Sequence, residues 1–382
     1  TVHQEDASLL DCRISRGRRP DVVERRNLDE EYKTQEIGFR ISAALPEIKG
    51  GEIILHFCGD SVTKTYTIDI EELRKQNKPK GFLSRLFGKE SVAEGGYEAW
   101  LARHKVDKRT LRRQKHAAFA QKPLISIVIP LYCTPLPYLK ELLESVRRQS
   151  YENWQLCLAD GSPKEEAVRL EAVVRECAGE DARICYRRLE KNLGIAGNTN
   201  AAIAMAHGEW IALLDHDDLL APDELYETVH LILRGPKDET GVAATGFHKA
   251  GAQYDMIYTD EDKVDMDGKT HFQPHFKPDI NIDLLRSNNY ITHFTMMRKT
   301  LLEKAGMIRE EYDGAQDYDL FLRCVECAEA IGHVPRVLYH WRCHTESTSE
   351  NPFSKQYAVD AGRRAIEDHL KRQGTAGEVT AT

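Results

Sequence analysis

"EWIALLDHDDLLAP", residues 209–222, sets an apolar run, Trp210 to Leu214, directly against three carboxylates, Asp215, Asp217 and Asp218. Such a run predicts a buried strand. Carboxylates at the rim of a core are costly unless a cation or a hydrogen-bond donor meets them. Three further strand-like runs lie upstream: "LISIVIPL" (124–131), "WQLCLAD" (154–160) and "RICYRRL" (183–189). Between them, Leu139, Leu142, Leu143 and Val146 share one helical face, Ala167, Leu170, Val174 and Cys177 share another, and "NLGIAGNTNAAIAMAHG" predicts a glycine-opened helix. Strands alternating with helices predict a mostly parallel sheet with crossover helices. Ligands of such sheets bind beyond the carboxyl ends of the strands. Tyr132, Asp160, Asn192 and the pair Asp215 and Asp217 close four successive strands, so one edge of the sheet should gather them.

The chain of 382 residues is long enough to bury a sizeable core. Its 41% hydrophobic and 30% charged residues are those of a globular protein. A net charge of -8 argues against nucleic acid as the main partner, because a phosphate-binding surface shifts the balance towards basic. Nine cysteines without a repeating spacing fit a reducing compartment. Cys324 and Cys327 form one Cys-x-x-Cys without the second ligand pair of a structural zinc site. No apolar run reaches the roughly 18 residues that span a bilayer, and no signal peptide opens the sequence. The expected location is cytoplasmic. "TVHQEDASLL" has the character of the middle of a longer polypeptide.

The expected organisation is an N-terminal β-rich module over 1–76, partly disordered, then a basic linker or helix over 77–122. A catalytic domain over 123–374 follows, divided into a nucleotide-binding half (123–235) and an acceptor half (236–374), with a tail over 375–382. "IGFRISA", "EIILHFC" and "KTYTIDI" carry the strands of the first module. In the basic stretch, Arg109, Arg112, Arg113 and Lys115 are among many cations set against Asp107. Two readings fit it: a solvated helix face, or peripheral contact with an anionic membrane surface, which would hold the protein at the inner face of the cell membrane.

Asp215 and Asp217 stand where a strand turns into a helix begun by Pro222. Paired carboxylates suit Mg²⁺ or Mn²⁺ carried in with a diphosphate. The plainer role, support of the next helix start, fits Asp218 and Asp223 better. The ordered set "PLISIVIPLY", "LADGS", "NLGIAGNTN", "LLDHDDLLAP" and "GAQDYDLFLR" resembles the family 2 glycosyltransferases, in particular bacterial members that build cell-surface polysaccharides. The resemblance covers roughly residues 122–374 and not the first 120.

It implies an α/β GT-A fold with a Rossmann-like nucleotide-sugar-binding domain and a mixed sheet, and inverting transfer from a UDP- or dTDP-sugar to a saccharide or lipid-linked saccharide acceptor. By the same resemblance, Pro130 and Tyr132 form the base pocket and Asp160 accepts a hydrogen bond from the pyrimidine. Ala159 stands where relatives more often carry a second Asp. Asn192, Asn198 and Asn200 lie near base and ribose, or else cap and pack their helix. Asp217 holds the metal, with Asp215 contacting metal or ribose. Asp317 aligns with the general base, and Asp319, about 200° around the helix, cannot share its cleft. His344 completes the metal shell, Arg342 contacts the diphosphate, and Asp260, Lys263 and Trp341 line the acceptor site. Two other classes remain open: a catalytically silent carbohydrate-binding scaffold, and a sugar nucleotidyltransferase, whose Gly-rich loop with Arg is replaced here by "PLYCTPLP".

Overall fold

A computed structural model describes residues 96–236, 252–343 and 356–380, and the backbone of five strands nearer the N-terminus. The chain divides into two compact units, Thr1–Glu94 and Gly95–Thr382.

In the first unit, β1 (Val2–Gln4), β4 (Glu52–Cys58) and β5 (Thr63–Asp69) form an antiparallel sheet, and β2 (Cys12–Gly17) pairs antiparallel with β3 (Gly38–Ala43). Three of these coincide with the runs picked out by alternation. The expectation of partial disorder falls on residues outside the described ones.

The second unit is built on a nine-stranded sheet. β6 (Ile125–Leu131), β7 (Trp154–Asp160), β8 (Ile184–Arg188) and β9 (Trp210–Leu213) are mutually parallel, with β6 central, flanked by β7 and β9. β13 (Thr295–Arg298) runs antiparallel to β9 and joins it to β11 (Met256–Val264), which pairs parallel with the long β14 (Ile331–Arg342). β10 (Leu219–Leu220) and β12 (His271–His275) are short antiparallel additions at β14 and β11. One reversed strand inside an otherwise parallel core makes this the mixed sheet expected of a GT-A glycosyltransferase.

Both faces of the central strands are covered, which is why their sequences are apolar throughout. In β6, Ile125, Ile127, Ile129 and Leu131 enter one core and Val128 the other; in β7, Trp154, Leu156 and Leu158 divide from Cys157 and Ala159 in the same way. The first face is covered by α3 (Leu136–Arg147), α4 (Lys164–Ala178) and α6 (Glu224–Arg234), with Leu139, Leu142, Leu143 and Val146 buried at helical spacing. The second is covered by α5 (Gly194–Ile203), α7 (Ile282–Ser287), α8 (Lys299–Ala305), α9 (Gln316–Cys327) and α10 (Gln356–Arg372). In the basic stretch, α1 (Tyr97–His104) and α2 (Lys108–Lys115) pack on this unit: Tyr97 donates to Asp262 at 2.6 Å and Gln114 to Glu227 at 3.2 Å. Among the described residues no helix is long and apolar enough to cross a membrane.

Candidate active site

The carboxyl ends of β7, β8 and β9 bring the expected residues to one edge. At β7, the buried Asp160 accepts Ser162 N–H at 2.8 Å on Oδ1 and the Tyr186 hydroxyl at 2.5 Å on Oδ2. Each oxygen keeps lone-pair capacity for a further donor. Gly161 is required beside it, because a Cβ there would lie 2.7 Å from Asn198 Nδ2. Asn198 in turn donates to Asn192 Oδ1 at 2.9 Å and accepts Leu193 N–H at 3.0 Å, while Asn192 also accepts Gly194 N–H at 3.1 Å. These two asparagines order the turn that starts α5. Asn200 faces elsewhere: its amide donates to Ile308 O at 2.7 Å and accepts Ile308 N–H at 3.3 Å, so it fastens α5 to the loop after α8. Tyr132, just beyond β6, is 48% exposed, and Pro130 is half-buried at the strand end. An aromatic left that open at a strand end can accept a flat partner.

The "DHDD" turn departs from its expected roles. Asp218 supports no helix start. It is wholly buried, accepts Arg342 N–H at 2.7 Å on one oxygen, and takes the Tyr339 hydroxyl on the other. Burial, with Asp217 and Asp215 adding negative charge, pushes its carboxyl well above the ordinary range. Asp223, at the start of α6, makes no capping bond and pairs with Arg336 at 2.9 Å. The half-exposed Asp215 carboxylate lies 3.4 Å from His293 Nε2, and His293 Nδ1 lies 3.2 Å from Glu261. Burial opposes a charged imidazole at His293, but bonds to Asp215 and Glu261 outweigh it and raise its pKa well above the usual value. Glu261 also receives Lys277 Nζ at 3.1 Å and Thr292 Oγ1 at 2.9 Å; burial would raise its pKa, but the Lys277 charge and the histidine bonds hold it well below the usual carboxylate range.

Asp215, Asp218 and His293 present ligand atoms all within 4.8 Å of one another. Once an ion displaces the proton of His293, two carboxylates and an imidazole are a donor set for Mn²⁺ and, less well, for Mg²⁺, which prefers oxygen alone. Asp217, the expected principal ligand, is not in this group; its peptide oxygen accepts Arg342 Nε at 2.7 Å. His344 lies outside the described residues.

Arg342 has a different task from the one expected. Its side chain is fully buried, bonding Glu141 at 2.6 Å, Met266 O at 2.6 Å and Asp217 O at 2.7 Å, with the guanidinium 4.5 Å above the Tyr138 ring. It holds the "DHDD" turn from behind: three of its five N–H donors are spent there, and the side chain has no exposed surface to offer a diphosphate. Asp260 is similarly committed, accepting His333 at 2.9 Å and Lys277 N–H at 2.9 Å while 2% exposed, so it cannot line an acceptor cleft. Lys263 bonds Gln273 at 2.9 Å and sits 5.4 Å from the Trp341 ring, which itself lies 5.4 Å from His293. These two therefore border the His293 side.

Asp317 opens the first turn of α9 and accepts the Asn289 amide at 2.8 Å. Burial raises its pKa, the charge of His293 and the Asn289 bond hold it back, and Asp215 pushes it up again. Its carboxylate thus feels both groups of the "DHDD" side. Sequence reasoning missed His293, Glu261 and the inward turn of Asp218. One signal was available: "MIYTDEDKV" places three successive acids inside a strand flanked by apolar residues, where solvent cannot hold them.

A parallel sheet with one reversed strand and an acidic cluster at its carboxyl edge is the architecture of the GT-A fold. The family model for glycosyl transferase family 2 matches residues 126–306, and the chain belongs to that family through this domain. It is 43% identical over 252 residues to the protein y4gI of Sinorhizobium fredii, covering 65% of this chain and 26% of that one. It is 34% identical over 285 residues to the O-antigen biosynthesis protein RfbC of Myxococcus xanthus, covering 75% of this chain and 21% of RfbC. The chain thus spans about a quarter or less of these relatives. TarS of S. aureus, solved with UDP, is 17% identical over 64% of this chain and 65% of its own, with a TM-score of 0.48. Residues 126–306 thus form a family 2 glycosyltransferase domain, and one relative of the chain is an O-antigen biosynthesis protein.

Proposed function

We propose that the domain transfers a sugar, with inversion, from a UDP- or dTDP-sugar to a saccharide or lipid-linked saccharide acceptor. The observation that carries this reading is the meeting of Asp215, Asp218 and His293 in one cluster, with Asp317 within electrostatic reach of His293 and Asp215. Asp215 and His293, with Asp218 behind them, would hold Mn²⁺ or Mg²⁺; when bound, such an ion supplies Lewis-acid stabilisation of a departing nucleoside diphosphate. Tyr132 would stack on the base, Asp160 would accept from it, and Asp317 would take the acceptor hydroxyl proton. A base with a raised pKa is a better proton acceptor at neutral pH than an ordinary Asp. A silent scaffold has no need of a half-buried Asp317 whose side-chain partner is a neutral amide, which favours catalysis.

The test is incubation with a panel of UDP- and dTDP-sugars and oligosaccharide acceptors, with product stereochemistry read by NMR. Metal-dependent β-from-α transfer supports the reading; retention of configuration, or no turnover with any donor, defeats it. For the basic stretch, Lys108, Arg109, Arg112, Arg113 and His116 line one surface hollow, which suits an anionic leaflet at the cytoplasmic face. Sedimentation with anionic but not neutral vesicles is expected, and equal recovery from both would reject it.

A further inference from the structure

Side chains alternate across a strand, so Glu261, its partner Tyr339 and, two residues on, Trp341 face His293, while Asp262 and His340, paired in register, face the other way. On that opposite face Asp262 is a hub. Its carboxylate meets His340 Nδ1 at 2.6 Å, His271 Nδ1 at 3.0 Å and the Tyr97 hydroxyl at 2.6 Å. The carboxylate has no exposed surface and each imidazole is 10% exposed, their rings crossing edge to face at 4.5 Å. The ligand atoms of Asp262, His271 and His340 lie within 4.8 Å of one another. A cavity of about 620 Å³, bounded by α1, α3 and β10, opens onto both imidazoles.

Three features point beyond a hydrogen-bond knot. Two imidazoles turn the same nitrogen towards one carboxylate, His340 to Oδ1 and His271 to Oδ2, so three potential ligand atoms cluster around one group and do not run along a chain. The donors come from three strands, β11, β12 and β14, with Tyr97 of α1 beside them, so one ion would tie together segments far apart in sequence. The cavity leaves the outer side of the cluster open to a water ligand. One carboxylate, two imidazoles and a water form the four-coordinate set of zinc and similar borderline ions; Mg²⁺ and Ca²⁺ prefer oxygen alone.

We propose that Asp262, His271 and His340 bind a divalent transition-metal ion of the zinc type, at a second site on the face of the sheet opposite the transferase cluster. The ion fastens β12 and, through Tyr97, α1 to the β11–β14 pair. This holds whatever the sugar donor.

The experiment is equilibrium dialysis of the full chain, stripped of metal and free of nucleotide, against Zn²⁺, with metal counted by mass spectrometry, and against Co²⁺, with visible absorption recorded. The wild-type chain should take up one tightly held Zn²⁺ and give the intense bands of four-coordinate cobalt. Asp215→Asn should keep both. His271→Ala and His340→Gln should each weaken uptake by about 10- to 100-fold or more, the range that even outer-shell changes reach at metal sites. The milder Tyr97→Phe should retain the ion. Loss of uptake in Asp215→Asn with retention in the histidine variants would overturn the proposal. So would a wild-type chain that takes up no zinc, or one that gives only the weak bands of six-coordinate cobalt.

Discussion

Asp317 and Asp319 stand two residues apart in the first turn of α9, yet one faces Asn289 beside an electrostatically active cleft and the other is locked between Arg309 and Arg323. Asp319 has no exposed surface, and Arg323 reaches it at 2.6 Å and 3.0 Å. Both carboxylates are equally suited to proton transfer by type. What separates them is the number of donors already spent on each. β11 repeats the contrast in adjacent residues, with Glu261 turned to His293 and Asp262 turned away to His271 and His340. In α9 the carboxylate with fewer partners is the one left at the cleft, while Asp319 is spent on Arg309 and Arg323.

Substitutions that divide each pair test this contrast. The largest effect is expected at Asp317→Asn: kcat should fall by about 10²- to 10⁴-fold, the usual span for loss of a general base, with nucleotide affinity and melting temperature little changed. Near-normal turnover would move the base elsewhere. Asp319→Ala should do the converse. It leaves two arginines without their buried partner, and breaking a buried pair from one side costs about 3–5 kcal/mol, readable as a lower urea midpoint. A variant as stable as wild type would show that Asp319 is no support.

A smaller change is expected at Asn289→Ala. The Asn289 bond favours the charged form of Asp317 and so restrains its raised pKa. A carboxylate base works only when deprotonated, so activity is lost as pH falls through that pKa, and the acid limb of kcat/KM should lie above the ordinary Asp value of about 3.9. Without the amide the limb should move to still higher pH. An unmoved limb would separate Asp317 from the observed base.

The first half of the domain was legible because its physics is local. Period-two and all-apolar runs gave β6, β7 and β9 to within a residue or so, and Leu139, Leu142, Leu143 and Val146 gave α3. The positions of Asp160, Asp215 and Asp317 at strand ends and a helix start could be read locally, while their roles rested on the resemblance. The remaining roles depend on long-range packing. His293 reaches Asp215 only because β13 runs back between β9 and β11, which no spacing within "NNYITHFTMM" reveals. Arg342 and Asp218 could not be told from ligand-binding residues by type; the backbone of β14 claims the carboxylate, and Glu141 on α3 claims the guanidinium. Asn200 was read with its neighbours, but the turn of α5 carries it round to Ile308.

In the proposed function, Asp215 and His293 form a metal-dependent nucleotide site at the carboxyl edge of the sheet. Calorimetric titration of the wild-type chain and of Asp215→Asn with UDP and dTDP, each with and without Mn²⁺, tests it most directly. The prediction is binding of at least one nucleotide that Mn²⁺ strengthens, and that weakens by about 10-fold or more in Asp215→Asn, a loss of roughly 1.4 kcal/mol. Binding that is equal with and without metal, or unchanged by the substitution, would contradict it.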